Sequence, residues 1–170
     1  MAVSTTGVRS ADTNNTGKAL EEVRAALDPG IEILQEARSR RSLVLEPAMT
    51  FGGVNRKYYS GSIAHGTANA DLDADCGIVL DRRTHPELGP DGDGCGPELV
   101  VQPVRELVVA ALGESVEVET SKRAITVRFH DPHGDFDPSV DLIVGLERQE
   151  LPGRWIPNLW EDRWDPSHPE

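Results

Sequence analysis

The sequence predicts an α+β (α/β) domain in which a mixed sheet is backed by helices. Three observations carry that reading. Apolar residues recur at helical spacing in three stretches ahead of Gly113. Strand-like runs are grouped, a pair between Phe51 and Leu80 and three more after Gly113. No regular strand–helix alternation of the doubly wound kind connects them.

Taken in order, residues 1–17 are small and polar without a period and read as a disordered N-terminal tail. A helix is expected from near Lys18, with Leu20, Val23 and Leu27 on one face. Asp28-Pro29-Gly30 interrupts it. Asp28 as a cap and Pro29 as the opening residue would start a second helix running to about Leu45. Its expected inward residues are Ile31, Leu34 and Leu45, with Arg38, Arg40 and Arg41 largely outward and Pro47 as its stop. Gly77-Ile78-Val79-Leu80 reads as a buried strand. Residues 82–97 form a polar loop rich in Gly and Pro. Its Asp91-Gly92-Asp93-Gly94 is no calcium loop, because Gln102 stands where the closing Glu would be. Leu99 to Leu112 is predicted helical on Val100, Val104, Leu107 and Ala111, and Gly113 ends it. Val116–Thr120, Ala124–Phe129 and Val140–Leu146 then read as strands. The second puts Ile125, Val127 and Phe129 on one face and Ala124, Thr126 and Arg128 on the other.

A chain of 170 residues is long enough for one domain with a proper core. Lys+Arg 17 against Asp+Glu 29 gives a net charge of −12, which argues against a large nucleic-acid footprint but leaves room for a small phosphate ligand held through metal ions. No window approaches the roughly 20 apolar residues of a membrane span, and the N-terminus has no basic-then-apolar pattern. A cytoplasmic protein without a membrane partner is the expectation. Cys76 and Cys95 suit neither a disulfide framework nor zinc spacing.

The chemistry concentrates in Gly61-Ser62-Ile63-Ala64-His65-Gly66-Thr67 and the Asp73-Ala74-Asp75 that follows. Asp73 and Asp75 sit at the mouth of a strand, where residues two apart point to the same side. Two carboxylates about 6–7 Å apart on one face repel, unless divalent cations sit between them. Mg²⁺ takes one or two carboxylates together with substrate phosphates and water, and two such ions can clamp the attacking and leaving oxygens of a phosphoryl transfer. Asp141 interrupts an apolar strand and needs a partner there, either a strand edge, an Arg or the same metal. Gly61 lets backbone approach a phosphate, free N–H groups of a turn make an anion nest, and Ser62 and Thr67 add hydroxyls. Lys122 and Arg128, six apart on one expected strand face, could meet triphosphate charge.

Other polar residues read more simply. Asp71 extends the acidic row, and the ligand set is expected without it. His65 is a solvated loop residue. His130 and His133 lie in a polar turn without zinc spacing. Asp135 and Asp137 are turn residues. Trp155, Trp160 and Trp164, the last two at helical spacing, are expected to pack on the core or on a further domain.

Gly-Ser, then Gly-Thr, then Asp-x-Asp at the head of an apolar strand, then a distant strand Asp, resembles the nucleotidyltransferase superfamily typified by DNA polymerase beta. Within it, "GSIAHGTA…DLDADCGIVL", Ser121–Arg128, Ser139–Val144, Trp155-Ile156-Pro157-Asn158 and Trp164-Asp165-Pro166 look most like the bacterial cGAS/DncV-like nucleotidyltransferases. The resemblance covers roughly 18–166. It implies the nucleotidyltransferase fold, a mixed, mostly antiparallel sheet backed by helices. It also implies a catalytic domain over 18–150, with a Trp/Pro-rich segment, 151–170, leading towards a C-terminal helical domain that this chain lacks.

The activity implied is transfer of a nucleotide from an NTP with two Mg²⁺ ions, Mn²⁺ being an alternative. Asp73 and Asp75 would hold both metals and Asp141 the one that activates the hydroxyl. Gly61, Ser62, Thr67, Lys122 and Arg128 would serve the nucleotide. The implied product is a cyclic di- or trinucleotide second messenger in anti-phage defence, with a completing domain or an effector protein as partner. Transfer to a protein or small molecule, as in antitoxin-type or antibiotic-modifying relatives, uses the same triad. A non-catalytic nucleotide-binding module is the reading from another class.

Overall fold

The computed structural model describes residues 16–20, 30–65, 73–92, 94, 96–131, 138–149 and 151–168, with His65 known by its backbone. Thr67, Asp71, His133, Asp135 and Asp137, most of the first expected helix and most of the tail lie outside them.

The elements are α1 (Gly30–Ala48), β1 (Val54–Tyr59), α2 (Gly61–His65), β2 (Ala74–Leu80), α3 (Glu98–Leu112), β3 (Val116–Thr120), β4 (Ile125–Phe129), β5 (Val140–Glu147), β6 (Arg154–Asn158) and β7 (Arg163–Ser167). The strands form one seven-stranded sheet in the order β1-β2-β5-β4-β3, with the β6–β7 hairpin joined to β5. β2 and β5 run parallel, and the other neighbours are antiparallel.

Strand alternation explains the layering. Ala74, Cys76 and Ile78 of β2, Val140 and Leu142 of β5, and Ile125 and Val127 of β4 are fully buried and share one core with Val44 and Ala48 of α1 and Val104 and Val108 of α3. Gly113 closes α3 at φ 58, its N–H donating to the Val109 carbonyl.

Several expectations are corrected. Helix α1 turns Ala37, Arg40, Val44, Leu45 and Ala48 inward, at spacings of three and four, while Ile31 is 71% exposed. Buried Arg40 is satisfied: it donates to Glu36 at 2.8 Å and to the Pro138 and Asp131 carbonyls, and its guanidinium lies 4.9 Å from the Phe129 ring. Pro47 lies inside the last turn of α1 and does not stop it. Helix α3 buries Val100, Val101, Val104 and Val108, so its inward stripe is rotated from the Leu107–Ala111 side.

Residues 154–167, read without strands, form a hairpin of the main sheet. Trp160 and Trp164 do not share a helix face. Trp160 stands 77% exposed in the turn, whereas Trp164 pairs with Pro157 across the hairpin and is 6% exposed. Asn158 is fully buried and donates to Asp165 at 2.9 Å, which ties the two strands together.

Candidate active site

The face of the sheet opposite the helices carries the carboxylates. Asp75 of β2 and Asp141 of β5 are register partners on adjacent parallel strands, Thr126 of β4 is the partner of Asp141, and Glu119 of β3 is the partner of Thr126. One polar row therefore crosses four strands, because the residues flanking it on β2, β5 and β4, and Val118 of β3, are apolar and turned to the helices. Asp73 lies just ahead of β2, beside Ser139, whose carbonyl accepts the Ala74 N–H at 2.9 Å. The structure thus brings the three predicted carboxylates into one neighbourhood, although Asp141 lies 66 residues beyond Asp75.

Their partners differ. Ser139 Oγ donates to Asp73 Oδ1 at 2.6 Å, and Thr126 Oγ1 donates to Asp141 Oδ1 at 2.7 Å. Among the described residues the Asp75 carboxylate has neither a hydrogen-bond donor nor a cationic partner. Burial, and then the charges of Asp141 and Asp73, push its pKa above the ordinary carboxylate value. An uncompensated carboxylate flanked by two more, with hard oxygen donors only, fits a divalent cation such as Mg²⁺. Among the described residues no group of three His, Cys, Asp or Glu stands so that it could hold a metal ion by itself.

Gly61 opens α2 at φ 74, and a Cβ built on it would run into the Asp75 carboxylate. Only glycine combines that backbone angle with so close an approach. Ser62 follows, half-buried, in the same single-turn helix. The expected open turn is therefore helical over Gly61–His65 and packs against β2.

Of the two predicted basic residues, Arg128 shares the Thr126 and Asp141 face. It pairs with Glu119 at 2.6 Å, and that bond raises its pKa. Lys122 is not on a strand. The chain reverses between Thr120 and Ile125, Ser121 N–H reaching the Ala124 carbonyl at 2.8 Å. Lys122 Nζ then lies 5.5 Å from the Trp160 ring and 4.0 Å from Glu161. His130 Nδ1 meets the Glu114 carbonyl at 2.9 Å, a structural contact.

The sequence reading missed Thr126, Ser139 and Tyr58 as neighbours of the site. Thr126 and Ser139 each stood at the polar position of an alternating run, the only signal available. Tyr58 covers Gly77 on the carboxylate face, with the Arg154 guanidinium 3.5 Å from its ring, and burial pushes its hydroxyl up to about 12. A cavity of about 230 Å³ between Glu98, Gln102, Ser121 and Trp160 includes none of Asp73, Asp75 and Asp141.

No protein-family model matches the chain, and no curated protein matches it. Solved structures do. CdnC of E. coli MS115-1, in complex with HORMA-deltaN, superposes with a TM-score of 0.56 at 17% identity, over 88% of this chain and 45% of that one. The CdnE cyclic dinucleotide synthase of Elizabethkingia meningoseptica, with GTP and Apcpp, gives 0.52 at 17% identity, over 79% of this chain and 48% of that one. The Cid1 poly(U) polymerase, with Mg 3'-dATP bound, gives 0.52 at 15% identity, over 75% and 36%. The chain thus spans less than half the length of each of these structures. A mixed sheet backed by helices on one face, superposing on these three structures, identifies the fold of this chain as the nucleotidyltransferase fold.

Proposed function

We propose that the chain is the catalytic portion of a metal-dependent nucleotidyltransferase acting on NTPs, making a cyclic di- or trinucleotide in bacterial anti-phage defence. The observation that carries the catalytic reading is the pairing of Asp75 with Asp141 on parallel strands, on the face the helices leave open. Likeness to a cyclic dinucleotide synthase supports the product class.

In this reading a ribose hydroxyl attacks the α-phosphate of an NTP and pyrophosphate leaves. Asp73, Asp75 and Asp141 would hold Mg²⁺ or Mn²⁺. A bound cation would supply positive charge to the attacking hydroxyl and to the leaving phosphates. Gly61 lets the chain come close to the phosphates, and Ser62 adds a donor. Arg128 stands on the same face and contributes positive charge at its edge. Thr67 belongs to the phosphate loop in this proposal. Lys122 serves the turn that holds Trp160. The chain spans less than half of the matched structures, so the complete nucleotide site, the product and a cytoplasmic location are all part of the proposal.

Release of pyrophosphate from each of the four NTPs in Mg²⁺ or Mn²⁺ tests the proposal, with Asp75→Asn and Asp141→Asn as controls. Metal-dependent release lost in both variants is the expected result. Calorimetric binding of nucleotide without release would favour the binding-module reading. A melting temperature indifferent to metal and nucleotide would sink both.

A further inference from the structure

Two hydroxyls on the open face have the same relation to two different carboxylates. Thr126 Oγ1 donates to one oxygen of Asp141 at 2.7 Å, and Ser139 Oγ donates to one oxygen of Asp73 at 2.6 Å. Both bonds are short. Both are long-range, joining residues 15 and 66 apart, so they exist only because the strands are in register. Thr126 and Asp141 are direct partners on antiparallel β4 and β5. Ser139 reaches Asp73 because its own carbonyl holds the Ala74 N–H at 2.9 Å, fixing the approach to β5 against the approach to β2.

The middle carboxylate, Asp75, has no such donor among the described residues. A carboxylate has two oxygens, so one donor on each outer group leaves its second oxygen open to a cation. Groups behind a metal ligand orient it, and their loss weakens metal binding about 10–100-fold.

We propose that Thr126 and Ser139 are positioning residues, each holding one oxygen of a metal-binding carboxylate so that the other remains available to the ion. This rests on the metal-dependent reading above. Mn²⁺ binding measured on the full chain by the loss of the free-ion EPR signal needs no turnover and tests it. Thr126→Val and Ser139→Ala are expected to weaken Mn²⁺ binding about tenfold each. Thr126→Ser, which keeps the hydroxyl, is expected to bind as wild type does. The melting temperature in chelator is expected to stay within about 2 °C of wild type for Ser139→Ala, an exposed-side change. If wild type and Ser139→Ala bind Mn²⁺ equally while Asp75→Asn loses it, the positioning role is overturned and the metal reading stands. If Thr126→Ser restores the melting temperature of Thr126→Val but not its Mn²⁺ affinity, the role is also overturned. If wild type itself ignores Mn²⁺, the metal reading fails and this inference with it.

Discussion

The two faces of β2, β5 and β4 are made by the same residues in alternation and do opposite things. Ala74, Cys76, Leu142, Ile125 and Val127 point under α1 and α3 and are fully or almost fully buried. Asp75, Asp141 and Thr126 occupy the intervening positions and stay partly open. The first set buries apolar surface and stabilises the domain. The second crowds carboxylates whose mutual repulsion opposes folding. A one-residue slip would exchange the faces, so stability on one face fixes the register that builds the site on the other.

The comparison breaks most visibly at Leu142, next in line to Asp141 and fully buried. Leu142→Ala is expected to cost about 2–5 kcal/mol of stability by lost transfer energy plus a cavity. Urea denaturation measures it, and a loss under about 1 kcal/mol would mean that the helix-backed face is not the main core.

Asp75→Asn probes the other face. It is expected to weaken Mg²⁺-dependent nucleotide binding at least about 100-fold, while in chelator the variant is as stable as wild type or more so. The sign with pH follows from the raised pKa of Asp75. Between the ordinary carboxylate value and the raised one, the folded state keeps a proton that the unfolded chain has released. Wild-type stability in chelator therefore falls as pH rises through that window, and Asp75→Asn lacks this component. Urea titrations of both proteins across mildly acidic pH give the difference. An unfolded Asp75→Asn would show the carboxylate to be a structural anchor.

Glycines 61 and 113 sharpen the contrast further. Both have positive φ, but a Cβ meets Asp75 at Gly61 and open space at Gly113. Gly113→Ala is expected to cost about 1 kcal/mol from backbone strain and leave metal binding alone. Gly61→Ala carries the same strain and must also move Asp75, so Mn²⁺ affinity should fall about tenfold. Equal Mn²⁺ affinity in the two variants would separate Gly61 from the site.

The candidate site was legible wherever polarity broke an apolar alternation. Asp73-Ala74-Asp75 and Asp141 are such breaks, and Thr126 falls opposite Ile125 and Val127 as the alternation of β4 requires. What stayed hidden depends on partners far along the chain. Arg40 reads as a solvated helix residue, yet it is buried because carbonyls 91 and 98 residues away accept its N–H groups. The bond between Ser139 and Asp73 spans 66 residues and has no local signal at all. Lys122 was placed on a strand because nothing in Ser121-Lys122-Arg123-Ala124 marks a turn as strongly as Gly or Pro would. The β6–β7 hairpin was masked by Pro157 and Pro166, which depress strand propensity and are tolerated only where a ladder bond is not needed.

The smallest effect is expected in that hairpin, where two tryptophans four residues apart have opposite surroundings. Trp164 is 6% exposed and joins the core cluster, whereas Trp160 is 77% exposed in the turn, with Lys122 Nζ 5.5 Å from its ring. A cation over an exposed ring contributes about 0.5–1 kcal/mol, and an exposed side chain leaves no cavity when truncated. Trp160→Ala should therefore change stability by less than about 1 kcal/mol. It should also remove the part of the fluorescence most accessible to acrylamide, leaving the more shielded emission of half-buried Trp155 and buried Trp164. A loss of several kcal/mol, or an unchanged quenchable fraction, would show that Trp160 is covered in solution, by another chain or by a second copy of this one.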